Sequence, residues 1–492
     1  MKKRQTGILC PLFSTPGNQG IGDFGAKTKM FVDVIADAGY KVWQILPIQY
    51  AGKTHSPYQT YSSFAGDPIY INIDRLCEEG LLTQSSIVNC NKFKNRVEYD
   101  KVREFKEVYF RRAFRVFKKQ FDTFKETYEA FEKEAFWLND WAYFYLFSTI
   151  HHTTHWSDWN EAYRDWFKGE HSVDLREYED ELFYIKFLQF MFYRQLDELR
   201  DYAHKKGISI MGDVPFYVDL ESADVWSDRD DFMLDEQGNP QFVAGCPPDY
   251  FSEDGQRWGM PTYNFDHMHK NNFLFWVKRM RWMHRCFDII RIDHFRAFAN
   301  YWRIPADSET ARIGAWIDAP GEEILNRIRQ ECSGIQLVAE DLGGDIVQRV
   351  YDLETEFDIP GMEVMLFQME TKLLRKPIRE NVVLYSGTHD NATINEAYSH
   401  YTNNHRISLR RFFKKRGYTH RKFNDMVCHF LLDSEANLVI LPVWDICGYK
   451  QEARINVPST LSDQNWSWKL KDFKTFPEEI EKTKEWIKNA NR

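Results

Sequence analysis

The chain has 492 residues and a formal net charge of -9. That acidic balance excludes a dominant role on nucleic acid or on an anionic membrane, both of which select a basic surface, and leaves neutral ligands such as sugars open. Hydrophobic residues make up 43% and charged residues 28%, ordinary for a globular protein, and the length allows one elaborated barrel or two to three domains.

Aromatic residues reach 16%, with 38 Phe, 25 Tyr and 16 Trp. A large core absorbs most of them; the remainder are candidates for flat ligand platforms. The eight cysteines are scattered, contain no CxxC pair and suggest no disulfide framework. They read as structural thiols in a reducing compartment. The start, MKKRQTGILCPLF, is basic, but its apolar part is too short for a secretory signal and is broken by Pro11. No stretch approaches the roughly 18 apolar residues of a membrane span. The expected location is cytoplasmic, with no membrane and no nucleic-acid partner.

In chain order there are eight short apolar runs, several ending in polar, Gly or Pro residues: GILCP (7–11), VWQILPI (42–48), ISIMGD (208–213), DIIRID (288–293), IQLVAE (335–340), MEVMLF (362–367), VVLYSGTHD (382–390) and LVILPV, which ends at Val443. Helical patterns lie between many of them. Residues 26–38 stop at Gly39, 185–206 stop at Gly207, 273–287 run into the fourth strand, and 321–333 and 345–357 precede the fifth and sixth. Continuous apolar strands alternating with helices predict a parallel sheet. Eight such units predict an α/β fold, a (β/α)8 TIM barrel spanning 1–492 as a single catalytic domain. Three insertions follow strands: residues 67–206 after the second, mostly helical; 214–272 after the third, loop-rich; and 391–435 after the seventh, helical. Such insertions collect at the C-terminal face, where barrel active sites lie.

The strand ends carry acids. The third ends at Asp213, the fourth at Asp293 and the fifth at Glu340, and His389-Asp390 follow the seventh. Like charges brought to one rim raise each other's pKa and cost stability, so such convergence points to function. Two chemistries use such a set: a metal site, or two carboxyl groups that cleave a glycosidic bond. The best metal-like spacing, HHTTH at 151–155, lies in the helical insertion, away from the strand ends. For glycosidic cleavage, Arg291 shares a strand face with Asp293 and would hold it ionised, as a nucleophile needs. Glu340 follows the apolar LVA run, which would desolvate it and raise its pKa, as an acid/base needs. Asp390 remains to bond the sugar ring.

The motifs GILCPLFSTPGNQGIGDFG (7–25), WQILPI (43–48), SPYQTYSSFAGDP (56–68), MGDVPFYV (211–218) and VAGCPPDYFSEDGQRWGMPTY (243–263) are followed in order by RIDHFRAF (291–298), VAEDLG (338–343), PGMEV (360–364), GTHDN (387–391), EARINVP (452–458) and NWSW (465–468). In this order the chain resembles the 4-α-glucanotransferases, family 77 of the α-amylase clan. The resemblance covers nearly the whole chain and is weakest at 90–180.

It implies a barrel without a separate C-terminal β-domain and a retaining transglycosylase acting on α-1,4-glucans. Asp293 matches the nucleophile, Glu340 the acid/base and Asp390 the third carboxylate. Arg291, His294 and His389 match residues that hold the sugar, and Asp213 matches the acid of the first clan motif. Ser56, Tyr58 and Asp341 are expected substrate contacts. Asp249, Tyr250, Phe251, Gln256 and Trp258 match a loop covering the acceptor side, with Gly255 and Gly259 favouring an exposed loop. No cofactor and no metal are implied. The implied partners are α-1,4-glucans and maltooligosaccharides as donor and acceptor and glucose as acceptor, on a monomer or homodimer. Met260, Ala297, Trp444 and the absence of a tyrosine from GKTH (52–55) depart from the family pattern, and none touches the three carboxylates. Rival readings are an α-glucan hydrolase with the same carboxylates, a non-catalytic glucan-binding protein and a metal-dependent barrel hydrolase.

Overall fold

The structure is a computed structural model that describes residues 4–87, 93, 95–168, 173–248, 253–343, 346–370, 377–471 and 473–492. Its strands, in chain order, are β1 (Gln5–Leu9), β2 (Val42–Gln44), β3 (Ser209–Pro215), β4 (Phe242–Cys246), β5 (Gln256–Pro261), β6 (Ile289–Asp293), β7 (Asn300–Pro305), β8 (Ala315–Asp318), β9 (Gln336–Ala339), β10 (Gly361–Val364), β11 (Val382–Tyr385) and β12 (Leu438–Pro442). Eight of them form one parallel sheet in the order β10-β11-β12-β1-β2-β3-β6-β9. The sheet closes where the Ala339 N–H donates to the Pro360 carbonyl at 2.9 Å. Each barrel strand falls within, or overlaps, one of the eight apolar runs read from the sequence.

The runs form strands because their residues suit a sheet covered on both faces. Ile289, Ile290 and Ile292 of β6 are all buried, each contributing roughly 1.5–3 kcal/mol by leaving water. Residues 382–385 and 438–441 are likewise buried. Helices pack outside: Ala26–Asp37, Glu179–Lys205, Leu274–Cys286, Gly321–Glu331, Gln348–Phe357 and Phe476–Asn489 among them. The first ends where Gly39 takes φ +95°, a left-handed turn that glycine adopts without a Cβ clash.

Between β2 and β3, helices Tyr99–Lys119, Phe121–Glu134 and Leu138–His151 pack beside the start of Glu179–Lys205. Their aromatic rings mostly pack on one another. Phe117 contacts Phe121, Phe124, Phe183, Phe187 and Phe190, with centroids 4.8–6.0 Å apart. Core packing thus accounts for this aromatic wealth.

Two local readings change. MEVMLF is not one strand: β10 ends at Val364, and Met365–Glu370 is helical. Apolar runs this short do not distinguish buried strand from buried helix. The stretch after β3 carries strands as well as loop. Its β4 and β5 join β7 and β8 in an antiparallel sheet ordered β5-β4-β7-β8, so part of that sheet comes from a second insertion after β6. A small apolar cluster of Val243, Ile304 and Ala311, with Trp302 against it, holds this sheet together.

Candidate active site

Register aligns the charged side chains at the C-terminal rim of β3, β6 and β9. Asp213 lies opposite Arg291, and Ile292 opposite Ala339, so Asp293 and Glu340 are the next residues on adjacent strands. Neighbouring strands stand about 4.8 Å apart. The Arg291 guanidinium, only 4% exposed, binds two carboxylates at once. Its Nη1 donates to both oxygens of Asp213 at 2.8 and 2.7 Å, and its Nη2 lies 3.0 Å from Asp293 Oδ1. Asp213 also accepts from the Tyr58 hydroxyl at 2.9 Å. Asp213 is wholly enclosed, whereas the Asp293 side chain keeps 31% of its exposure and lines the cleft.

Glu340 has two backbone donors: His294 N–H to Oε2 at 2.8 Å and Leu342 N–H to Oε1 at 3.1 Å. Burial pushes its carboxyl up to about 7, with Asp293 and Asp341 adding to the rise; Arg291 and the His294 N–H pull the other way. His294 takes the left-handed conformation, φ +54°. Its ring lies edge-on to Trp258 at 4.9 Å and near Tyr217 at 6.2 Å. Burial lowers the His294 imidazole to about 4, which keeps it neutral.

Beyond β11, His389 Nε2 stands 3.3 Å from Asp390 Oδ2, and the Asn456 amide donates to Asp390 Oδ1 at 2.7 Å. Burial alone would raise Asp390. His389, Asn456 and Arg291 outweigh it and hold the carboxylate at about 2. Burial works against charge on His389, but Asp390 dominates and raises the imidazole. Tyr58 stacks on His389, centroids 5.2 Å apart and planes 14° off parallel, and Trp466 closes the group at 5.8 Å from both rings.

Asp293, Tyr58, His389, Asp390 and Trp466 line a cleft of about 660 Å3, together with Ser56, Gln256, Trp258 and Asn456 among others. Ser56 Oγ accepts the Tyr58 N–H at 3.3 Å. Trp258 sits on β5, not in a free loop, and its indole donates to Gln256 Oε1 at 3.1 Å. Its flanking Gly255 (φ +69°) and Gly259 (φ +82°) stand just before β5 and inside it, on a strand whose pairing with β4 is irregular. Asp249, Tyr250 and Phe251 lie outside the described residues.

Asp341 is not brought to the cleft. It is buried and accepts the Met362 N–H of β10 at 2.6 Å, because alternation past β9 turns it away from the face that carries Glu340. Asn456 and Trp466 went unassigned in the sequence, although EARINVP and NWSW were the signal that contained them. Among the described residues, no group of three His, Cys, Asp or Glu is placed to hold a metal ion.

Carboxyl groups of unequal ionisation under a wall of rings suit the cleavage of a glycosidic bond. On this barrel they define a glycoside-active enzyme of the α/β class. The profile described as 4-alpha-glucanotransferase (glycoside hydrolase family 77) matches residues 10–475. The 4-alpha-glucanotransferase of Thermus thermophilus is 37% identical over 490 residues, covering 96% of each chain. The chloroplastic/amyloplastic enzyme of Solanum tuberosum is 34% identical, covering 96% of this chain and 83% of the relative. The amylomaltase of Streptococcus agalactiae, solved in complex with acarbose, superimposes with a TM-score of 0.93 at 30% identity over 100% of both chains. The chain belongs to the 4-alpha-glucanotransferase family.

Proposed function

We propose that the chain is a retaining 4-α-glucanotransferase that moves α-1,4-glucan segments from a donor maltooligosaccharide to the 4-hydroxyl of glucose or of another maltooligosaccharide. Asp293 attacks the anomeric carbon while Glu340 gives its proton to the departing glucan oxygen, leaving a glycosyl ester on Asp293. Glu340, now ionised, takes the proton of the acceptor 4-hydroxyl, and that oxygen displaces Asp293. Asp390, His389 and Arg291 bond the ring hydroxyls next to the bond being broken. Ser56, Tyr58, Gln256, Trp258 and His294 line the path of the glucan. Family membership supports the reaction, and the reading extends it to cytoplasmic maltooligosaccharide metabolism.

The observation that carries the mechanism is the unequal pair on adjacent strand ends. Asp293 is ion-paired to Arg291 at 3.0 Å, and Glu340 titrates near 7 because it is buried. One group is suited to attack and the other to hold a transferable proton. The test is product analysis on pure maltotriose. Glucose plus a ladder of longer maltooligosaccharides, abolished by Asp293→Asn, is expected. Glucose and maltose with nothing longer would make the protein a hydrolase.

A further inference from the structure

The small antiparallel sheet ties the turn that follows Asp293 to the strand that carries Gln256 and Trp258. In that sheet β5 is an edge strand, paired with β4 in broken register. Its start is held by the 306–314 stretch, which joins β7 to β8. The Ala311 N–H donates to the Asp254 carbonyl at 3.0 Å, and Arg257 Nη2 donates to the Ala306 carbonyl at 2.8 Å. Ala311 is buried and packs against Gly255. A Cβ added at Gly255 would stand 2.4 Å from the Cys246 carbonyl oxygen and 2.8 Å from the Ala311 Cβ.

Ala311 is itself held by Trp302 of β7. The indole Nε1 donates to the Ala311 carbonyl at 2.9 Å. The Trp302 ring lies against Gly314, whose added Cβ would stand 2.5 Å from Cε2, and Trp316 of β8 meets it edge-on at 5.3 Å. β7 begins just after the Phe295–Phe298 turn that leaves Asp293 and His294. The contacts therefore close a ring. It runs from His294 through β7 and Trp302 to Ala311, on to Asp254 and Gly255, and along β5 to Trp258, whose indole meets the His294 ring at 4.9 Å.

A glycosyl ester on Asp293 has two competing acceptors. A sugar 4-hydroxyl or water can displace the carboxylate, each forming its C–O bond at the anomeric carbon and giving its proton to Glu340. The chemistry is the same, so the outcome depends on how firmly the site holds a sugar where water would otherwise stand. We propose that Trp302 is a positioning residue for the acceptor side: through Ala311 it fixes the Asp254–Gly255 backbone from which Gln256 and Trp258 enter the cleft, and so sets the ratio of transfer to hydrolysis. The Arg312–Asp254 ion pair at 2.8 Å spans the same junction, but both side chains are exposed, and such a pair adds little. The inference rests on the transferase reading, with Gln256 and Trp258 facing the acceptor.

The test uses the full chain with α-maltosyl fluoride as donor and glucose as acceptor, and compares Trp302→Phe and Arg312→Ala with the parent. Phe keeps a ring and loses the N–H. Fluoride release reports the first step; initial yields of maltotriose and maltose report transfer and hydrolysis. For Trp302→Phe the single-turnover rate of fluoride release should match the parent. Its ratio of maltotriose to maltose should fall roughly 10-fold, the scale on which a small misplacement of a bound reactant acts, and KM for glucose should rise. Arg312→Ala should match the parent throughout. A merely structural contact would lower the melting temperature and leave the product ratio of the folded enzyme unmoved. A parental ratio in Trp302→Phe, an equal fall in Arg312→Ala, or fluoride release lost in step with transfer overturns the proposal. Should Trp302→Phe not fold, Gly314→Ala displaces the same indole without opening a hole, with the same expectation and the same refutation. A parent that makes maltose and no maltotriose sinks the transferase reading and this inference with it. A parent that transfers, beside variants that match it, sinks this inference alone.

Discussion

The backbone N–H of His294 donates to Glu340 Oε2 at 2.8 Å, across the gap between β6 and β9. It points there because the chain turns through the left-handed region at His294, φ +54°, which costs a non-glycine residue roughly 1–2 kcal/mol. One residue thus links the strand carrying Asp293 to the strand carrying Glu340. An N–H donor favours the ionised carboxylate, yet Glu340 still stands near 7 because burial is the larger effect.

That balance predicts the alkaline limb of activity. Glu340 must carry its proton in the first step, so kcat/KM should fall tenfold per pH unit once the pH passes about 7. Glu340→Gln should abolish transfer from maltotriose. A profile flat to pH 9 or so would contradict the assignment.

Asp390 should remain ionised far into acid, since its carboxylate is held at about 2. Asn456→Ala removes a donor to the ionised form, so the pKa of Asp390 should rise toward the ordinary range. Carbon-13 NMR titration of the aspartate carboxyls would show the shift, and an unmoved Asp390 would show that His389 and Arg291 suffice.

Arg291→Met should be strongly destabilising. It strips the partner from Asp213, whose side chain is 0% exposed, and an uncompensated buried charge costs about 3–5 kcal/mol. Denaturant unfolding measures the loss. Arg291→Met with Asp213→Leu should recover part of that stability but no activity, because Asp293 would still lack its ion pair.

Tyr58→Phe separates two roles of one ring. The stack on His389 survives, while the 2.9 Å bond to Asp213 is lost. Removing one donor from a buried carboxylate should cost about 1–2 kcal/mol of stability. Tyr58→Ala removes the platform as well and should raise KM for maltotriose, which Phe should not.

Much of this was legible in the sequence because the barrel writes itself in a simple code. Each strand is a short apolar run, and its C-terminal end faces the site, so Asp213, Asp293 and Glu340 could be placed before any coordinates. Asp341 sits off the cleft because alternation sends it and Glu340, adjacent in sequence, to opposite faces; Met362, which binds it, belongs to the next strand. The antiparallel sheet was hidden because its strands are only partly buried and lack the continuous apolar runs of the barrel strands. β8 is largely exposed, and Gly and Pro interrupt β5. Asn456 and Trp466 come from a stretch with no periodicity, and only folding brings them against Asp390 and His389.

The central claim is that Asp293 forms the covalent bond and Glu340 resolves it. The most direct measurement incubates the Glu340→Gln variant with α-maltosyl fluoride, whose leaving group needs no acid, and maps the digested protein by mass spectrometry. Without the base the glycosyl ester should accumulate, as a maltosyl adduct on the peptide bearing Asp293. An adduct on the peptide bearing Asp390, or fluoride release with inversion at the anomeric carbon and no adduct, would contradict it.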